Sequence, residues 1–225
     1  DAYIALKARQ IGITWLAAGY ALWTLLFVPG SRVLVVSITE FEAVKVVNRI
    51  WDMYKSLPPH LRDTKVLKPR GSRPNKQIEL QHPDGMISTV LGLPSTPTAG
   101  HGETAALVIL DEFSRQEYAK STWKACLPTT QGGGRILVIS TGNGVSTEKG
   151  SQDEVGGNFF HHLWVNADIY GLGKRFLRWD LRPERDERWY AEKAAKMAPA
   201  DRGEQYPRDQ DEAFILTGSP FFDIV

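Results

Sequence analysis

The chain has 225 residues, enough for one large or two small domains, and an apolar content of 42% that predicts a packed core. Its formal net charge of +1 excludes a uniformly basic surface, so any nucleic-acid contact is a local patch. The single cysteine, Cys126, excludes an internal disulfide and a cysteine-based zinc site and suits a reducing compartment.

In chain order, Tyr3-Ile4-Ala5-Leu6 is a short apolar strand. The chain opens on it directly, so the natural N-terminus is expected upstream. Lys7-Ala8-Arg9-Gln10-Ile11-Gly12-Ile13-Thr14 follows, then an apolar helix from Trp15 to Phe27 that Val28-Pro29-Gly30 ends. At about 14 residues, the run from Trp15 to Val28 falls short of the roughly 20 that span a bilayer, which predicts a buried helix and no membrane span. Strand, glycine-containing loop and helix is the setting of a phosphate-binding loop, whose backbone N–H groups face an anion at the helix start. Laid on G-x-x-x-x-G-K-[ST], Gly12 takes the second glycine and Thr14 the magnesium-binding hydroxyl. Ile13 stands where lysine is usual, and Lys7 stands at the first glycine. From the front of the loop, a flexible lysine stem still reaches the β- and γ-phosphates. The competing reading is a plain strand–helix turn with a basic residue.

Arg32 to Ser37 is the next strand. Thr39 is an N-cap, and Glu42 three residues on completes a capping box. The helix runs to about Leu57, stops at Pro58-Pro59, and forms a βαβ unit with the first strand. Residues 60–76 carry Arg62, Lys65, Lys68, Arg70, Arg73 and Lys76 against one acid, Asp63. Such a run reads as a solvated loop, with a DNA-contact patch as the alternative. Lys76 to Gln81 and Met86 to Leu93 flank His82-Pro83-Asp84-Gly85, which predicts a β-hairpin. A Gly/Thr/Pro loop from Thr96 to Thr104 then leads to Leu107-Val108-Ile109-Leu110, a strand buried on both faces. Ser114 to Leu127 is predicted helical, Gly132-Gly133-Gly134 a turn, and Arg135 to Ile139 a buried strand ending in Ser140-Thr141-Gly142-Asn143-Gly144. Phe159 to Val165 and Phe176 to Leu181 read as strands, and Pro183 to Met197 as a helix of mixed charge. On a strand, His161 and His162 point to opposite faces, so they are read as non-ligands.

The chemistry concentrates where the buried strand ends in Asp111-Glu112. Side chains at the carboxyl end of a parallel strand point into the crevice where ligands bind. Two adjacent carboxylates repel, so something must use or neutralise them. Nucleotide hydrolysis divides the labour: Asp111 holds Mg²⁺, and Glu112 orients and deprotonates the attacking water. The plainer alternative is a helix start that takes acids for its dipole. The hydroxyl and amide side chains after Ile139 are placed to sense a γ-phosphate, or form an ordinary turn.

The order of these parts is that of a P-loop ATPase with an added catalytic glutamate (the ASCE type). The chain resembles the ATPase domain of the large terminase subunit of tailed bacteriophages, the motor that packages DNA. Leu6 to Thr14 is similar to the family's deviant Walker A with lysine at the front, and Val108-Ile109-Leu110-Asp111-Glu112-Phe113 to its Walker B and catalytic glutamate. Ser140-Thr141-Gly142-Asn143-Gly144 is similar to its coupling motif. Tyr206-Pro207, Asp211-Glu212-Ala213-Phe214 and Gly218 to Asp223 resemble the stretch that closes the domain. Where members often carry arginine before glycine ahead of Walker B, this chain has His101-Gly102.

The resemblance implies an α/β fold with a central, mostly parallel sheet flanked by helices and a β-hairpin insertion. It implies one domain over 1–225, with a nucleotide-binding core over about 1–165 and a C-terminal subregion over about 166–225 leading to a nuclease domain beyond the chain. The implied activity is Mg-dependent ATP hydrolysis that drives double-stranded DNA into the prohead. Lys7, with Arg9 as second candidate, and the backbone of Gln10, Ile11, Gly12, Ile13 and Thr14 would bind phosphates. Thr14 and Asp111 would hold Mg²⁺, Glu112 would activate water, and Ser140, Thr141 and Asn143 would couple hydrolysis to movement. The implied partners are the portal protein, the small terminase subunit and further copies in a ring, a pentamer, in the host cytoplasm. Two other readings fit the same residues: a helicase-like ATPase on single strands, and a degenerate P-loop module that binds DNA or partners without turnover. Ile13 at the lysine position favours the latter, and intact Thr14, Asp111 and Glu112 oppose it.

Overall fold

The computed structural model describes residues 2–67, 76–143 and 156–214. Its strands are β1 (Ala2–Lys7), β2 (Arg32–Ser37), β3 (Lys65–Leu67), β4 (Gln77–Gln81), β5 (Ile87–Pro94), β6 (Leu107–Asp111), β7 (Arg135–Ser140) and β8 (Leu172–Leu177). They form one sheet in the order β3-β4-β5-β2-β6-β7-β1-β8. From β5 to β8 neighbouring strands run parallel, while β3-β4-β5 is an antiparallel meander. This is the expected central, mostly parallel sheet with its β-hairpin, whose turn lies at Asp84-Gly85, where Gly85 takes φ +87°.

Alternation along the central strands sends side chains to two opposite cores. Ala5, Val33, Val35, Leu107, Ile109 and Ile139 face α1 (Ile13–Phe27) and α2 (Glu40–Ser56). Ile4, Leu6, Leu34, Val36, Val108, Leu110 and Val138 face α3 (Ala119–Cys126) and α4 (Gly156–Val165). Burial on both faces explains the continuous apolar runs. A third, smaller cluster joins Ala8 to Trp179, Tyr190 and Tyr206, carried by α5 (Glu187–Ala194), α6 (Pro199–Gln205) and the turns beside them.

Half of the capping box is present: Thr39 Oγ1 accepts from the Glu42 N–H at 3.3 Å, while the Glu42 carboxylate pairs with Lys45. Other expectations need correction. Phe159 to Val165 lies in α4, not in a strand. Its buried residues Phe159, Phe160, Leu163 and Trp164 recur at helical spacing, and the aromatic content masks that period. His161 and His162 are therefore helical neighbours. The helix expected over Ser114 to Leu127 breaks into a 3₁₀ turn at Phe113–Arg115, then α3, then a second 3₁₀ turn at Leu127–Thr130. Phe176 to Leu181 divides between the end of β8 and a 3₁₀ turn at Trp179–Leu181, and only Glu187–Ala194 of the helix expected over Pro183 to Met197 is α5. The strands β1 and β2 are parallel but not adjacent, because β6 and β7 lie between them. α1 buries one stripe only, with Trp15, Leu16, Trp23 and Phe27 exposed. Among the described residues no helix is long and apolar enough to cross a membrane.

Candidate active site at the carboxyl edge of the sheet

Because β1, β6 and β7 are parallel, Lys7, Asp111 and Ser140 end their strands on one edge. The loop from β1 to α1 needs two left-handed residues, Gln10 at φ +59° and Gly12 at φ +91°. Glycine takes this conformation freely, whereas Gln10 holds it at a cost of roughly 1–2 kcal/mol. Gly12 caps α1, and its carbonyl accepts from the N–H groups of Trp15 and Leu16. Ile13, in the usual lysine position, packs against the core under α1.

Lys7 meets Glu112 at this edge. Lys7 is 4% exposed, and its Nζ lies 2.9 Å from Glu112 Oε1, joining residues 105 apart in sequence. Thr14 Oγ1 donates to Asp111 Oδ1 at 3.3 Å. Glu112 is itself left-handed at φ +50°, a strained turn that ends the strand where its carboxylate meets Lys7. Burial raises the Asp111 carboxyl from its ordinary 3.8 to about 6, and neighbouring Glu112 adds to this, against the opposite pull of Lys7, Arg49 and the Thr14 hydroxyl.

The residues after β7 tie to the same turn. Ser140 Oγ accepts from the Ser114 N–H at 3.0 Å and donates to Ser114 Oγ at 2.7 Å. Asn143 Nδ2 donates to the Ser114 carbonyl at 3.0 Å. Thr141 is buried, and its hydroxyl has no partner among the described residues. It lines a small cleft with Arg9, Glu112, Arg115 and Gln205. Gly142 lies against the closing stretch, since a Cβ there would clash with the Ala213 carbonyl oxygen. Gly144, Gly218 to Asp223 and the basic residues Lys68, Arg70 and Arg73 fall outside the described residues.

Several residues with contacts here carry no sequence signal. Gln116 is wholly buried, and its Nε2 donates to the carbonyls of Asp111 at 3.0 Å and Val36 at 3.4 Å, fixing the end of β6. Gln205 Oε1 accepts from the guanidinium of Arg9 at 3.2 Å. Arg182 and Arg185 both reach the loop backbone. Among the described residues no group of three or more His, Cys, Asp or Glu could hold a metal ion. A hydroxyl beside one carboxylate, as in Thr14 and Asp111, nonetheless fits magnesium, which usually takes one or two protein oxygens together with water and phosphate.

No protein-family model and no curated protein matches the sequence. Solved structures do match. The large terminase ATPase domain of Thermus phage P74-26 is similar with a TM-score of 0.72 at 23% identity, over 91% of this chain and 86% of that one. The large terminase of a thermophilic bacteriophage, in complex with ADP, is similar with a TM-score of 0.64 at 13% identity, over 88% of this chain and 45% of that one. The HK97 bacteriophage large terminase is similar with a TM-score of 0.54 at 19% identity, over 95% of this chain and 42% of that one. The fold is thus that of large-terminase ATPase domains.

Proposed function

We propose that this chain hydrolyses ATP and is the motor domain of a large terminase, driving double-stranded DNA into a viral prohead in the host cytoplasm. The observation that carries the reading is the meeting of Lys7, Thr14, Asp111 and Glu112 at one sheet edge, on a fold shared with terminase ATPase domains. The structures of the thermophilic bacteriophage's terminase in complex with ADP and with ATP-gamma-S support a nucleotide as ligand.

The N–H groups from Gln10 to Thr14, at the start of α1, cradle phosphates. Lys7 neutralises charge on the β/γ oxygens, with Arg9 as the second cation. A triphosphate competes with Glu112 for the Lys7 ammonium, so nucleotide binding frees the carboxylate to take a proton from the attacking water. Thr14 and Asp111 would hold Mg²⁺, which offsets phosphate charge when bound. Ser140, Thr141 and Asn143 stand between the hydrolytic turn and the closing stretch and relay the change. The likeness to terminases further supports a ring of copies, a pentamer, working with a portal protein and a small terminase subunit.

The test is Glu112→Gln, which keeps shape and removes proton acceptance. Phosphate release should fall by about 10² or more while nucleotide binding survives. Wild-type turnover in that variant would overturn the assignment.

A further inference from the structure

We propose that Arg185 is a positioning residue for the phosphate loop, holding the carbonyls of Arg9 and Gln10 outward so that the adjoining N–H groups face the triphosphate. This rests on reading the segment from Lys7 to Thr14 as a phosphate loop. Arginine is rarely buried without an acidic partner, yet Arg185 is 7% exposed, and its hydrogen-bond acceptors are main-chain oxygens. Nη1 donates to the Arg9 carbonyl at 2.9 Å and Nη2 to the Gln10 carbonyl at 3.3 Å. Arg182 Nη1 adds a third donor to the Gln10 carbonyl at 3.1 Å. The Arg185 guanidinium lies over the rings of Trp189, at 4.6 Å, and Tyr206, at 5.6 Å. The same loop is gripped from α6, where the Arg9 N–H donates to the Gln205 carbonyl at 2.7 Å.

The consequence follows from peptide geometry. In a planar trans peptide the C=O and the following N–H point in opposite directions. Turning the Arg9 and Gln10 carbonyls toward the guanidinium therefore turns the Gln10 and Ile11 N–H groups the other way. Among the described residues neither N–H has a protein acceptor. Gln10 sits at φ +59°, a conformation that persists only where its surroundings impose it, and the fork of Arg185 supplies that constraint. A lysine ammonium, a point donor without a planar fork, cannot hold two carbonyls at fixed spacing in this way. The C-terminal subregion thereby sets the geometry of a loop more than 170 residues earlier in the chain.

The experiment compares wild type with Arg185→Lys by thermal melting, Mg·ADP titration and steady-state ATP hydrolysis. The loop cradles phosphate in the ground and transition states alike, so loss of its alignment raises KM more than it lowers kcat. Arg185→Lys should melt close to wild type, bind Mg·ADP about tenfold more weakly and show a similar rise in KM, with kcat within about threefold. Amide exchange at Arg9, whose N–H donates to the Gln205 carbonyl, should quicken as the loop loosens. A folded variant with wild-type affinity and KM overturns the proposal. Should Arg185→Lys fail to fold, Trp189→Leu removes one aromatic face and keeps the guanidinium, and should weaken Mg·ADP about threefold; unchanged affinity there also overturns it. A folded wild type that binds no Mg·ADP would instead refute the ATPase reading, and the positioning role with it.

Discussion

Replacing Lys7 by alanine tests the displaced lysine, and its effects divide into two parts of different size. The Lys7 and Glu112 side chains are 5% and 31% exposed. Breaking a fully buried ion pair costs about 3–5 kcal/mol, but Glu112 still reaches water, which lowers the cost toward about 1–2 kcal/mol. For a domain of this size that is a fall in Tm of roughly 2–8 °C, and the protein should stay folded. Nucleotide affinity suffers more, because a charge-assisted contact to phosphate is worth about 1.5–3 kcal/mol, or roughly ten- to a hundredfold in Kd. Hydrolysis should fall further still, since charge grows on the phosphoryl oxygens in the transition state. The assay pairs Mg·ADP titration with phosphate release, and circular dichroism confirms the fold. A folded Lys7→Ala protein with unimpaired binding and turnover refutes the reasoning and moves the role to Arg9.

Two further outcomes are expected. Asp111 holds its proton more tightly in the folded protein, up to about pH 6, than in the unfolded chain, near 3.8. Its contribution to stability is therefore full below the lower value and lost as pH rises through the upper one, on the order of 3 kcal/mol in all. Asp111→Asn should gain on wild type between about pH 4 and pH 7 in denaturant melts without divalent cation, and Mg²⁺ should narrow the gap at the upper end; a gap constant with pH refutes this. Gly142→Ala places a Cβ against the Ala213 carbonyl oxygen and carbon, neither of which is a side chain able to swing aside. It should cost about 1–3 kcal/mol and lower the melting temperature, and wild-type melting would refute the close approach.

Much of the site is legible in the sequence because local chemistry marks it. The run Leu107 to Leu110 ending in Asp111-Glu112 reads as a buried strand with a reactive end, and the Thr39 cap and the Asp84-Gly85 turn carry their own residue signals. The link between Lys7 and Glu112 is not local, but it follows once both strands are placed parallel in one sheet. The Arg185 contacts are not legible, since a guanidinium seeking main-chain carbonyls leaves no pattern in residue types. Gln116 is hidden for the same reason. α4 reads as a strand because Phe159, Phe160 and Trp164 favour strands by type, while their spacing matches a helix. Strand adjacency is equally invisible: the residues around α1 show a crossover but not that β6 and β7 insert between β1 and β2.

The most direct test of the central claim is steady-state phosphate release from ATP by this chain, with and without Mg²⁺ and with and without duplex DNA. Hydrolysis should require Mg²⁺ and rise when duplex DNA is added. A folded protein that binds Mg·ATP and releases no phosphate under any of these conditions would contradict that claim.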